Sequence, residues 1–196
     1  GGLCVFFGII MATIVSCCFM DCTGLIPVLM GMSVMAFLGT IDDIISLTPR
    51  FRFIFEIILI LLFIYSGGGT IDSFHGLWGI NQFSPWIAVP LTVFAGVGVI
   101  NAVNMIDGVN GLSAGICITC SFLFGLAFYL SGDAPNSMLC FAMAAGLSPF
   151  ILHNVVGRTS KMYIGNSGTM IMGTLMAWCV IQLLRSDGSM HLYQYQ

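Results

Sequence analysis

The sequence predicts an all-α fold, a polytopic transmembrane helical bundle with about seven spans and short polar loops. Of its 196 residues, 58% are hydrophobic and 7% are charged, and the mean hydropathy is +1.04. A water-soluble domain of this size needs a more charged surface to remain dispersed. The apolar residues also form runs that recur along the whole chain, without the period-two alternation of membrane strands. These features predict membrane helices, with the lipid bilayer as a partner.

Seven apolar runs each have close to the roughly 20 residues that a helix needs to cross a bilayer. They occupy residues 3–20, 25–41, 51–66, 86–103, 112–131, 137–156 and 169–184. We treat residues 1–196 as a single transmembrane domain. Because the chain begins with Gly1 instead of methionine and enters an apolar run at once, we expect it to be an incomplete part of a longer protein.

Successive spans cross a membrane in opposite directions, so alternate loops must lie on the same face. One face receives the loops 42–50, 104–111 and 157–168, and the other receives 21–24, 67–85, 131–137 and the tail. Four of the five basic residues fall on the first face, namely Arg50, Arg52, Arg158 and Lys161. The positive-inside rule therefore predicts that the first face is cytoplasmic.

The same face also carries carboxylates that are suited to form a site. Asp42 and Asp43 close the second run, and Asp107 lies with Asn104 in a glycine-bearing turn between two runs. Two adjacent carboxylates repel each other, and such a pair can bind a divalent cation or leave one member as a proton acceptor. The structural alternatives are a polar helix end for the pair and a helix-ending turn for residues 101–112.

A basic loop at residues 157–168 suits an anionic ligand. Arg158 and Lys161 are the residue types that a diphosphate needs, and the glycine-flanked Asn166-Ser167 turn lets backbone N–H groups approach phosphate oxygens. Basic loops are common on cytoplasmic faces, so this pattern alone is a weak indication of a site.

Other polar side chains are expected to have structural roles. Arg52 precedes Glu56 by four residues, which predicts a local ion pair that neutralises Glu56 inside the third span. The histidines His75, His153 and His191 have no second ligand at a metal spacing and are interpreted as solvated. Most of the eight cysteines lie in apolar runs, which predicts no disulfide framework. Five basic residues cannot form a nucleic-acid-binding stripe.

Three segments together resemble a known family. They are Asp42-Asp43, then Asn101-x-x-Asn104-x-x-Asp107-Gly108-x-x-Gly111-Leu112, then Asn154 with Arg158, Lys161 and Gly165-Asn166-Ser167-Gly168-Thr169. Their order and spacing resemble the polyprenyl-phosphate N-acetylhexosamine-1-phosphate transferases of glycosyltransferase family 4. Bacterial members of this family start the lipid-linked precursors of enterobacterial common antigen, O-antigen, teichoic acid and peptidoglycan. The likeness runs from about Gly1 to Leu184.

The resemblance implies transfer of N-acetylhexosamine 1-phosphate from a UDP-N-acetylhexosamine to polyprenyl phosphate, with release of UMP and with Mg²⁺ as the cofactor. It also implies a multi-pass protein of the bacterial inner membrane, with cytoplasmic active-site loops, that forms a homodimer. The implied catalytic residues are Asp42, Asp43 and Asp107. The implied substrate-binding residues are Asn104, Asn110, Asn154, Arg158 and Lys161. The implied metal ligands are Asp107, Asn104 and Asn166.

The chain departs from the family pattern at three points. Asn166 stands where the family commonly has a metal-binding aspartate, Asn110 replaces a second aspartate, and the family's later histidine loop is absent from these 196 residues. The departures leave open a catalytically degenerate relative that acts as a lipid-binding or assembly partner. A transporter with a polar path is a further alternative, but Glu56 is the one acid within a span, where transport would place several.

Overall fold

The computed structural model describes residues 1–73, 83–108, 111–156 and 164–185, and these residues form seven α-helices and no β-strand. The helices are α1 (Gly2–Ser16), α2 (Ile26–Ile45), α3 (Pro49–Phe63), α4 (Pro85–Met105), α5 (Leu112–Leu130), α6 (Ala134–Ile151) and α7 (Gly165–Leu183). Short helical turns adjoin them at Thr23–Leu25, Ile64–Gly68, Ile106–Gly108 and Leu152–Val156. The predicted all-α fold is therefore confirmed.

Four of the described helices are long and apolar enough to cross a membrane. With their adjoining turns they cover Thr23–Ile45, Pro85–Met105, Leu112–Leu130 and Ala134–Asn154. Helix α1 is apolar but has 15 residues, and α3 also has 15 residues and carries three charged side chains. Length and composition thus support four spans, and the prediction of about seven is not confirmed.

Helix α7 lies in the interior of the bundle, with α2 and α4 packed along it and α1 on a further side. Every residue from Ser167 to Cys179 is buried. Small residues allow this close packing, because a Cβ added to Gly39 of α2 would lie 2.4 Å from the Cα of Ser167. Close approach at small residues is typical of helix interfaces in membranes. Since α7 contacts other helices instead of lipid, it does not need the apolar composition of a lipid-facing span.

The helices alternate in direction, which separates the two predicted sets of loops. At one end of the bundle, here called the polar end, Asp43 contacts the start of α7 and Asn104 contacts Asn166. At the other end, here called the far end, Arg185 donates a hydrogen bond to the carbonyl oxygen of Gly67 at 3.0 Å. The described parts of the loops are therefore grouped as strict alternation requires, and the cytoplasmic orientation of the polar end stays a prediction.

Candidate active site

Asp43 joins the last turn of α2 to the first turn of α7. Its Oδ1 accepts the backbone N–H of Asn166 at 2.8 Å, and its Oδ2 accepts that of Ser167 at 3.4 Å. Unpaired N–H groups and the helix dipole make the start of a helix a favourable position for a carboxylate. Gly165 has a φ of +75°, and a Cβ there would lie 2.8 Å from Asp43 Oδ2. Both features favour glycine at the residue that opens α7.

Asn104 joins α4 to the same turn of α7. Its Nδ2 donates to Thr169 Oγ1 at 2.7 Å and lies 3.4 Å from Asn166 Oδ1. Thr169 is fully buried, and its hydroxyl in turn donates to the carbonyl oxygen of Asn166 at 3.1 Å. The amide of Asn104 is therefore held in one orientation, with its Oδ1 left as the atom able to bind a ligand.

Asp107 lies in the short turn Ile106–Gly108 that follows α4 and accepts a hydrogen bond from the hydroxyl of Ser113 at the start of α5. Partial burial raises the pKa of the Asp107 carboxyl, the hydrogen bond from Ser113 lowers it, and the negative charge of Asp43 raises it. Because the charge of Asp43 affects the pKa of Asp107, the two carboxylates lie near each other although they are far apart in the sequence.

Asp42 has different surroundings from its neighbour Asp43. It is 5% exposed, its Oδ1 accepts the N–H of Leu47 at 2.7 Å, and its Oδ2 accepts a hydrogen bond from Arg52 at 3.2 Å. Successive side chains of an α-helix point about 100° apart, so the two carboxylates meet different neighbours. The described contacts of Asp42 stabilise the turn between α2 and α3, and its catalytic role stays a prediction.

The predicted ion pair between Arg52 and Glu56 is wrong. Arg52 pairs with Asp42 across the turn. Glu56 is 0% exposed, its Oε2 accepts a hydrogen bond from the side-chain amide of Asn101 on α4, and its Oε1 has no hydrogen-bond partner among the described residues. The spacing rule for helical pairs considers one helix alone, whereas here Arg52 forms its ion pair with Asp42, a carboxylate from another helix.

The remaining predicted residues are described in part. Asn154 is buried in the turn after α6, at the polar end. His153 is exposed, and all eight cysteines are free, which agrees with their predicted roles. Five further residues lie outside the described part of the chain: Asn110, Arg158, Lys161, His75 and His191.

Two hydroxyl residues of the site were not assigned a role from the sequence. Ser113 holds Asp107, and Thr169 holds Asn104. Both lie in the first turn or two of a helix that follows a polar loop. That position is the signal that would have identified them, because a hydroxyl there is close to the polar side chains of the loop.

The site's oxygen donors fit Mg²⁺ in kind. Asp43 and Asp107 supply carboxylates, and Asn104 and Asn166 supply amide oxygens, all of which are hard ligands. The described residues contain no cluster of three or more His, Cys, Asp or Glu side chains able to hold a metal ion. Mg²⁺ commonly binds one or two carboxylates and completes its shell with water and substrate phosphates, so such a cluster is not required.

Comparison with known proteins identifies the family. The model of glycosyl transferase family 4 matches residues 25–184, which include α2 to α7 and every predicted site residue. The chain belongs to glycosyl transferase family 4. The resemblance inferred from the three polar segments is thereby confirmed.

Curated relatives of this family 4 chain share a single name, undecaprenyl-phosphate alpha-N-acetylglucosaminyl 1-phosphate transferase. The Salmonella typhi protein is 28% identical over 190 residues, which cover 93% of this chain and 50% of that protein. The Yersinia pestis protein is 27% identical over 202 residues, covering 95% and 52%. The protein of Escherichia coli strain K12 is 26% identical over 189 residues, covering 92% and 48%. The chain thus spans about half the length of the curated relatives it matches.

Proposed function

We propose that this chain belongs to an enzyme that transfers N-acetylhexosamine 1-phosphate from a UDP-N-acetylhexosamine to polyprenyl phosphate, releasing UMP. The names of the relatives support the reaction class. The observation that carries the proposal is the convergence of Asp43, Asn104, Asp107 and Asn166 at one end of the bundle, within the residues that match the family.

The reaction joins two anions. An oxygen of polyprenyl phosphate forms a bond to the sugar-bearing phosphorus of the UDP-sugar, and the bond from that phosphorus to the departing oxygen of UMP breaks. A phosphate monoester has a second pKa of about 6, so at neutral pH the attacking phosphate is mostly dianionic and needs no general base. Positioning and charge neutralisation therefore dominate the barrier.

The side chains of the polar end have distinct parts in this scheme. We propose that Asp107, Asn104 and Asn166 hold Mg²⁺, which when bound supplies positive charge to the diphosphate. Asp43 fixes the backbone at the start of α7 and so places Asn166. Ser113 orients the Asp107 carboxylate. Because Asn166 is neutral, the affinity for Mg²⁺ should be lower than with an aspartate at this position.

We also propose that the polar end faces the cytoplasm. Arg50 and Arg52 lie at this end, at the start of α3, and basic residues favour the cytoplasmic side of a membrane. Sealed membrane vesicles of defined orientation test this point, because a UDP-sugar added outside should be consumed by inverted vesicles and not by right-side-out ones.

The activity is tested with membranes that contain the full-length protein, labelled UDP-N-acetylglucosamine or UDP-N-acetylgalactosamine, and added polyprenyl phosphate. We expect lipid-soluble label that depends on Mg²⁺ and is lost on chelation. Asp107→Asn should lower the rate at least tenfold, since it removes one of two carboxylates from the site. Asp21→Asn is the matched control, because Asp21 is exposed at the far end and contacts Thr23.

Two results would contradict the proposal. If a well-expressed full-length protein gives no lipid-soluble label and binds no nucleotide, the enzyme assignment fails. If it binds the nucleotide and polyprenyl phosphate but forms no product with any divalent cation, the chain is instead a degenerate relative that binds lipid.

A further inference from the structure

A cavity of about 650 Å³ opens at the far end of the bundle, away from the proposed active site. The start of α2, the end of α3, the start of α6 and the end of α7 surround it. One side of the cavity is apolar and faces the surroundings of the bundle, since Ile26 is 52% exposed and Met30 is 56% exposed. The ends of membrane helices lie at the level of lipid head groups, so this cavity is at the depth of a head group.

A chain of hydrogen-bonded side chains, of which Asp133 is half-buried and Asn136 buried, forms one part of the cavity lining. The indole N–H of Trp178 donates to Asn136 Oδ1 at 2.8 Å, and Asn136 Nδ2 donates to Asp133 Oδ2 at 2.8 Å. The backbone N–H of Asn136 donates to Asp133 Oδ1 at 3.2 Å. Two of these three linked hydrogen bonds end on the carboxylate of Asp133 and fix it at the cavity, where it contributes one negative charge to the lining.

Another part of the lining comes from Gln182, in the last turn of α7, and from Arg185, which follows this helix. Gln182 is 8% exposed and makes no side-chain hydrogen bond to another described residue. Arg185 donates through Nη1 to the carbonyl oxygen of Gly67, but its buried Nε has no hydrogen-bond partner in the described chain. Leaving a polar group buried and unpaired is unfavourable, so Nε of Arg185 indicates a missing acceptor, and the amide of Gln182 lines the same cavity.

The charges of the lining favour a zwitterion. Arg185 supplies one positive charge and Asp133 one negative charge, so the cavity has no net charge but has two charged poles. A phosphate is a suitable acceptor for the guanidinium and for the amide N–H of Gln182. A primary ammonium group is a suitable partner for the carboxylate. The apolar side formed by Ile26 and Met30 suits an acyl chain.

We propose that the far-end cavity binds a zwitterionic, amine-bearing phospholipid of the adjacent leaflet, with its phosphate at Arg185 and Gln182 and its ammonium group at Asp133. The proposal does not depend on the transferase reaction, because none of these residues lies at the polar end. The far end is then a lipid-binding surface, separate from the proposed active site at the polar end.

The test uses purified full-length protein, stripped of lipid and examined by native mass spectrometry with added phosphatidylethanolamine or phosphatidylglycerol. We expect the unaltered protein to retain phosphatidylethanolamine about tenfold better than phosphatidylglycerol. Arg185→Gln should lower that retention about tenfold, since it removes a charged donor to the phosphate. Arg50→Gln removes the same charge from an exposed residue at the opposite end and should leave retention unchanged.

A second variant guards against a folding defect in Arg185→Gln. Gln182→Leu removes an amide that lines the cavity and makes no hydrogen bond to another described residue, so it should fold normally and still weaken retention of phosphatidylethanolamine several-fold. Equal retention of the two lipids, or unchanged retention in both cavity variants, overturns the proposal. Competition by inorganic phosphate alone at the same cavity also overturns it, because the site would then bind free phosphate.

Discussion

The carboxylate of Asp43, at the end of α2, accepts the backbone N–H of Asn166, at the start of α7, at a distance of 2.8 Å. This contact spans 123 positions of sequence and fixes the turn that carries Asn166. Asn104 holds the same turn from the side of α4. The geometry of the candidate site therefore depends on how closely α2 and α4 pack against α7.

Asp43→Ala should destabilise the start of α7. It leaves two backbone N–H groups without their acceptor, which corresponds to the loss of a helix cap and costs about 1 kcal/mol. Asp43→Asn should cost less, since an amide oxygen can still accept one of the two hydrogen bonds. Thermal unfolding in detergent measures both, with Asp21→Ala as the control. An Asp43→Ala variant as stable as the control would show that the contact contributes little.

Gly39→Ala should separate α2 from α7 and lower both stability and any transferase activity. The added Cβ would lie 2.4 Å from the backbone of Ser167, which cannot move without shifting the start of α7. We expect a loss of about 1–3 kcal/mol, as for other overpacked sites. Gly98→Ala is the matched control, because a Cβ at this α4 position meets nothing within 4 Å. Equal stability of the two variants would contradict the close packing of α2 on α7.

Asn166→Asp should increase the apparent affinity for Mg²⁺. It replaces the amide proposed as a metal ligand with a carboxylate next to Asn104, and one added charge of this kind is worth about a tenfold change in binding. The Mg²⁺ concentration for half-maximal product formation, or for half-maximal protection against thermal unfolding, gives the measurement. If the variant has an unchanged Mg²⁺ dependence by both readouts, Asn166 does not face the ion.

Glu56→Gln and Glu56→Leu should differ in stability. Glutamine retains an oxygen that accepts the hydrogen bond from Asn101 and needs no buried charge, so we expect little change. Leucine removes this acceptor in the interior and should cost about 1–2 kcal/mol. Melting temperatures in the same detergent compare them. If Glu56→Gln is as unstable as Glu56→Leu, the carboxylate itself is required and not merely its hydrogen bond.

Much of the arrangement of the helices and of the candidate site is predictable from patterns in the sequence. The apolar runs predict the helices, and alternation of direction predicts that Asp43, Asn104, Asp107 and Asn166 share one end. Those predictions succeed because both rest on chain connectivity and burial, which a linear sequence records. The side chains then meet because the helices that carry them pack together.

Other features depend on tertiary packing and could not be predicted. The sequence does not distinguish Asp42 from Asp43, because only the orientation of α2 decides which carboxylate faces α7. The predicted pairing of Arg52 with Glu56 is wrong for the same reason, because the partner of Arg52 lies on another helix. The predicted number of spans is not confirmed for a related reason, since a run of apolar residues does not reveal whether its helix faces lipid or other helices.

The enclosed position of α7 has a consequence for biogenesis. A segment with many glycine, serine, threonine and other weakly apolar residues gains little by entering a lipid bilayer by itself. Helices α2 and α4, which surround it, are both synthesised earlier. We therefore expect α7 to integrate late, against partners already in place, so that the candidate site is completed as the last described helix is inserted.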